Sequence, residues 1–89
     1  MKRVHVVVAG RVQGVFFRAA CAERARDLGI GGWVRNAEDA RVEAEFDGTP
    51  AAVDDLVAWC RHGPPHARVD VVQVRIVEST GARNFEIRS

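Results

Sequence analysis

The sequence predicts an α+β sandwich in which two helices cover one face of a single antiparallel sheet. Three observations carry that expectation. The chain alternates cleanly between the two-residue period of strands and the longer period of helices. Those stretches follow the order strand, helix, strand, strand, helix, strand, with a short extra strand at the end. At 89 residues, 47% of them hydrophobic, the chain can close one core, so residues 1–89 are expected to form one domain. Two helices cannot bury their apolar stripes alone, and four strands offer one apolar face. Stacking the helices on that face satisfies both. The expected topology is the ferredoxin-like split β-α-β sandwich, which hosts many functions and by itself decides none.

Each element has its own warrant. "RVHVVVAG" (3–10) places Val4, Val6 and Val8 on one face of a strand. "RAACAERARDLG" (18–29) switches to helical spacing, with Phe17, Ala20, Cys21, Ala25 and Leu28 as the apolar stripe and Gly29 as terminator. "GGWVRN" (31–36) reads as a second strand. "RVEAEFDG" (41–48) reads as a third, Val42, Ala44 and Phe46 alternating with Arg41, Glu43 and Glu45. The second helix is expected to begin with Thr49 as N-cap and Pro50 at the first helical position, with Asp54 and Asp55 near the positive end of the dipole. Val53, Leu56, Val57 and Cys60 form its stripe, Arg61 and His62 fall near its negative end, and Gly63, Pro64 and Pro65 stop it. In "RVDVVQVRIV" (68–77) the apolar set shifts phase from Val69 and Val71 to Val74 and Ile76, predicting a bulge near Val72. "NFEIR" (84–88) closes the sheet with Phe85 and Ile87 inward.

Composition excludes several classes. Thirteen basic and 12 acidic residues leave a net charge of +1, without the basic surplus of a nucleic-acid binder. An RNA-binding sandwich also needs aromatics on its open sheet face, whereas the four Phe and two Trp fall mostly at core or loop positions. No apolar run reaches the ~18 residues of a membrane span. The N-terminal "MKRVHVVVAG" alternates and lacks a cleavage site, so it reads as a strand and not a signal peptide, and the cytoplasm is the expected location. Cys21 and Cys60 lie on apolar helical faces, as reduced core residues do. His5, His62 and His66 make no ligand-spaced cluster with them, so neither a metal nor a cofactor is expected.

The informative stretch is "GRVQGVFFR" (10–18), which joins a strand to a helix start. Unpaired N–H groups and the positive end of the helix dipole converge there. Gly10 and Gly14 let the loop curl so that successive N–H groups form a nest for an anion, phosphate being the natural occupant. Arg18 opens the helix at the wrong end of the dipole for a cation, which costs about 0.3–1 kcal/mol. A bound anion resolves that conflict, and guanidinium suits a bidentate grip on phosphate. The loop lacks G-x-x-x-x-G-K-[ST], so no nucleotide is implied. Asn36 ends the second strand at the same edge of the sheet, about 9–10 Å from the first strand. On the residues alone, alternatives remain: Arg18 as a solvated surface arginine, and Asn36 as a turn residue opening "NAEDA".

The chain resembles the acylphosphatase family, in particular its small stand-alone members. "GRVQGVFFR" (10–18) is similar to the family's phosphate-loop signature, G-x-V-Q-G-V-x-F-R, at every fixed position. "GWVRN" (32–36) resembles its second signature, and "GPPHARV" (63–69) resembles the segment before the fourth strand. The likeness spans nearly the whole chain without insertions. It implies that Arg18 is the ligand of the substrate phosphate and that Asn36 positions the attacking water. The backbone of Gln13, Gly14, Val15, Phe16 and Phe17 would cradle the phosphate oxygens. The implied reaction is hydrolysis of a small-molecule acyl phosphate to a carboxylate and inorganic phosphate by a monomer. With no nucleophile placed at this edge, water attacks phosphorus directly, and the substrate phosphate is expected to accept its proton. The alternative is a non-catalytic phosphate-binding regulatory module on the same fold, as in the acylphosphatase-like domains of hydrogenase-maturation proteins. One departure stands out. Ala40 occupies the place of the usual glycine in N-x-x-D-G, and a positive φ there would strain alanine by about 1 kcal/mol.

Overall fold

Val4, Val6 and Val8 lie on one face of β1 (Lys2–Arg11) and are buried to 1% exposure or less in a computed structural model that describes residues 1–89. They face two helices, α1 (Phe17–Asp27) and α2 (Pro50–Cys60), whose buried residues include Phe17, Cys21, Ala25, Val53, Leu56 and Cys60. The remaining strands are β2 (Gly31–Asn36), β3 (Val42–Gly48), β4 (Arg68–Val77) and β5 (Phe85–Arg88). They join one sheet in the order β4-β1-β3-β2-β5. β3 lies antiparallel between β1 and β2, with Ala44 opposite both Val6 and Val34. β1 and β2 therefore run the same way, and their C-terminal ends, Arg11 and Asn36, share one edge of the sheet.

The expected elements all form, with local differences. β4, β1, β3 and β2 pair antiparallel, but β5 joins β2 in parallel, Ile87 beside Val34, so the five-stranded sheet is mixed. The connection from β4 does not make a hairpin. It folds over the open face of the sheet, where Asp47 holds it: Oδ1 accepts from Ser79 Oγ at 2.8 Å, and Oδ2 accepts from the N–H groups of Thr80 at 2.9 Å and Gly81 at 3.1 Å. The bulge falls at Asp70, earlier than expected, because Ala9 pairs Val71 while Gly10 already pairs Val69. Gly10 makes this possible: a Cβ there would lie 2.2 Å from the Arg68 carbonyl oxygen. Val69 and Val72 then share the helix-facing side, and Val71 turns to the open face.

The helices are capped differently. Thr49 Oγ1 accepts from Ala52 N–H at 3.3 Å and Pro50 starts α2, as expected. Asp54 and Asp55 lie beyond the first turn of α2, and no basic residue falls within its last, so its charges answer the dipole less than the sequence suggests. In α1 the stripe includes fully buried Ala22. Leu28 is the C-cap and 38% exposed, because the chain leaves the helix before completing that turn. No helix is long and apolar enough to cross a membrane.

Candidate active site

The loop between β1 and α1 alternates residue by residue between core and solvent. Val12, Val15 and Phe17 are buried, while Gly14 and Phe16 point outward. The backbone alternates with it: Gly14 has φ of 72° and Phe16 of 65°, while Val15 between them is not left-handed. Such alternation turns successive N–H groups toward one side and makes a concavity for an anion. α1 begins there with no side-chain cap and no acidic residue in its first turn. A phenylalanine in the left-handed region costs about 1–2 kcal/mol relative to a right-handed conformation. The buried neighbours fix that conformation. Phe17 packs on Trp59 of α2 with ring centroids 5.2 Å apart, and against Gly63, where a Cβ would come within 2.9 Å of the ring.

Arg18 follows in the first turn of α1, half-buried and in no ion pair with any carboxylate. It lines a cleft of about 350 Å³ together with Gly14, Phe16 and Asn36. Asn36, the last residue of β2, reaches this cleft from across the sheet edge. Its Oδ1 is buried and accepts no hydrogen bond from the protein. A buried acceptor left without a donor is uncommon in a folded protein and marks Asn36 as a residue that packing alone does not explain. The cleft thus brings Arg18 and Asn36 to one space, next to the β1–α1 loop.

The turn after Asn36 answers the question raised by Ala40. Asp39 and Ala40 both adopt left-handed φ, 60° and 61°. The strained turn is held by Gln13, whose Nε2 donates to the carbonyls of Ala37 at 3.0 Å and Arg41 at 2.9 Å. The side chain of Gln13 therefore clamps the Asn36 turn to the loop. The family likeness assigned Gln13 only a backbone part in the loop, and a single sequence has no local signal for a contact across 24 and 28 positions. Sequence reasoning also missed Ile87 as a site residue. Expected inward, it stands at the cleft mouth, 45% exposed, because parallel pairing sets it beside Val34 at the rim of the sheet. No group of three or more His, Cys, Asp or Glu residues is placed to hold a metal ion, and Cys21 and Cys60 are buried, unpaired thiols. Burial and the hydrogen bond with Cys60 push the Cys21 thiol well up, with the hydrogen bond the larger cause, so it is no nucleophile near neutrality.

The β1–α1 loop, Arg18 and Asn36 line one cleft at the sheet edge of a split β-α-β sandwich, which defines a protein of the ferredoxin-like α+β class. Comparison with known proteins narrows this further. The acylphosphatase family model matches residues 4–87. An acylphosphatase of Rubrobacter xylanophilus is 60% identical over 88 residues, covering 98% of this chain and 80% of that protein. The crystal structure of an acylphosphatase from Bacillus subtilis superposes with a TM-score of 0.95 at 33% identity, over the whole of both chains. The structure of an acylphosphatase from Coxiella burnetii gives 0.93 at 34% identity, covering 98% of this chain and 92% of the other. The chain belongs to the acylphosphatase family, and with it to the hydrolases.

Proposed function

We propose that residues 1–89 act as one domain that hydrolyses the carboxyl–phosphate anhydride of small acyl phosphates, with Arg18 and Asn36 as its catalytic residues. The phosphoryl group lies in the β1–α1 loop, its oxygens accepting hydrogen bonds from the backbone of Gln13, Gly14, Val15, Phe16 and Phe17 and from the Arg18 guanidinium. These donors neutralise charge on the phosphoryl oxygens as the anhydride breaks. The loop is already fixed by Val12, Val15 and Phe17, so little reorganisation is needed at the moment of reaction. Asn36 Oδ1 accepts from one O–H of a water and aims its oxygen at phosphorus. The water oxygen bonds to phosphorus, and the acyl oxygen departs with the bonding electrons as a carboxylate. The water's proton passes to a phosphate oxygen, because neither Arg18 nor Asn36 is a base near neutral pH. The protein works in the cytoplasm as a monomer, without nucleic acid.

The observation that carries this reading is that Asn36 and the unpaired Arg18 line one cleft beside the β1–α1 loop. The test is hydrolysis of an aryl acyl phosphate by the wild type, Arg18→Gln and Asn36→Ala. Each variant is expected to lose on the order of 10²–10³ in rate. Undiminished activity in either removes its assigned role. An inert wild type that still binds phosphate would instead mark a non-catalytic module.

A further inference from the structure

The loop uses the left-handed backbone of Phe16, but neither folding nor phosphate binding explains why a large side chain stands there. Its backbone is left-handed, where glycine is favoured, and its ring is 80% exposed, so the strain is not offset by burial. A bulky residue kept in such a conformation beside a site points to a role for its side chain. The ring lines the cleft that holds Arg18 and Asn36, and so does Ile87, the exposed aliphatic side chain that β5 brings to its mouth. Val12 and Ala19 complete an apolar wall, and Arg18 is the one charged residue lining the cleft. Phosphate uses the polar side of this cleft and leaves the apolar wall unoccupied.

We infer that Phe16 and Ile87 form the subsite for the acyl group, selecting acyl phosphates whose acyl portion is aromatic or branched aliphatic. This rests on the acyl phosphate reading above. With Arg18 committed to the phosphoryl group, an acyl portion bearing a second carboxylate or phosphate meets no countercharge and is disfavoured. A small acyl group such as acetyl leaves the wall in water. Selectivity for apolar acyl groups follows from the apolar area that the bound substrate covers.

The experiment compares kcat/KM for benzoyl phosphate, acetyl phosphate and an acyl phosphate carrying a second carboxylate. The wild type should prefer benzoyl phosphate over both others. In Phe16→Asn, which tolerates the left-handed backbone, and in Ile87→Ser, the benzoyl-to-acetyl ratio should fall about tenfold, while Phe16→Tyr should restore it. Both positions are exposed, so the variants should fold, and a thermal melt checks this. A ratio unchanged in both variants, or a wild type favouring the carboxylate-bearing acyl group, overturns the inference and leaves the hydrolase standing. A wild type that hydrolyses none of the three overturns the hydrolase reading itself.

Discussion

Arg18 sits where a helix ordinarily favours a carboxylate, and that misplacement has a measurable consequence. Removing the charge should relieve about 0.3–1 kcal/mol of dipole conflict, so Arg18→Gln is expected to melt at the same temperature as the wild type or slightly higher while losing activity. Inorganic phosphate should raise the melting temperature of the wild type and have far less effect on Arg18→Gln, since only a native state that binds the anion is stabilised by it. A variant that melts lower, with an intact phosphate response, would place Arg18 outside the anion site. Gln13 acts through the turn it clamps. Gln13→Ala leaves the carbonyls of Ala37 and Arg41 without their donor. It should cost about 1–3 kcal/mol and lower kcat more than it raises KM, because Asn36 aims the water and does not hold the substrate. At Ala40 the left-handed φ predicts the opposite sign: Ala40→Gly should gain up to about 1 kcal/mol in denaturant unfolding. That the β1–α1 loop and Asn36 line one cleft was legible, because glycines, a misplaced charge and a motif are local signals. The Gln13 clamp was not, because both its acceptors are backbone carbonyls far along the chain.

Among the elements, the periodic ones were readable and the junctions were not. β1, β3 and α2 alternate or repeat strongly enough to reveal their buried faces, and Thr49 and Pro50 mark where α2 begins. The segment between β4 and β5 has no such pattern, and its course depends on Asp47, fully buried on a face that sequence alternation reads as solvated. Burial pushes the Asp47 carboxyl up, but hydrogen bonds from Ser79, Thr80, Arg3 and Gly81 outweigh it and hold it below its ordinary 3.8. Glu45 follows the same logic: burial raises it, and the bonds with His5 at 2.9 Å and Arg3 at 2.7 Å bring it below 4.5. A lowered carboxylate pKa stabilises the fold fully above the unfolded value, and that contribution is lost as pH falls through the folded one. The protein should therefore lose stability below pH of about 4. Asp47→Asn should be less stable at neutral pH by about 1–3 kcal/mol and lose less on acidification. Urea unfolding of both proteins at neutral and acid pH checks this, and parallel acid losses would contradict it. The loop that Asp47 holds also delivers β5, and with it Ile87, to the rim of the cleft.

At the scale of the molecule, the topology explains why one edge of the sheet carries the chemistry. Placing β3 between β1 and β2 makes the latter two parallel, so a helix start and a strand end meet at the same edge. That arrangement followed from element order and connection rules, whereas the parallel docking of β5 did not, since four residues carry too little pattern to choose a direction. The histidines lie elsewhere. His5 is on the open face between Glu43 and Glu45, each 2.9 Å away. His62 and His66 are exposed beyond α2. None of the three lines the cleft with Arg18 and Asn36. The rate of hydrolysis should accordingly show no enzyme ionisation at pH of about 6–7, and a steep one removed by substituting a histidine would require a general base.

Attack of water at phosphorus, as opposed to the acyl carbon, is tested most directly by the fate of the water oxygen. Hydrolysis of benzoyl phosphate in water labelled with heavy oxygen, followed by mass spectrometry of both products, reads it in one measurement. The label is expected in inorganic phosphate, with the carboxylate unlabelled and the rate of incorporation falling with Asn36→Ala. Label in the carboxylate would place the attack at the acyl carbon and contradict the roles of Arg18 as phosphoryl ligand and Asn36 as water orienter.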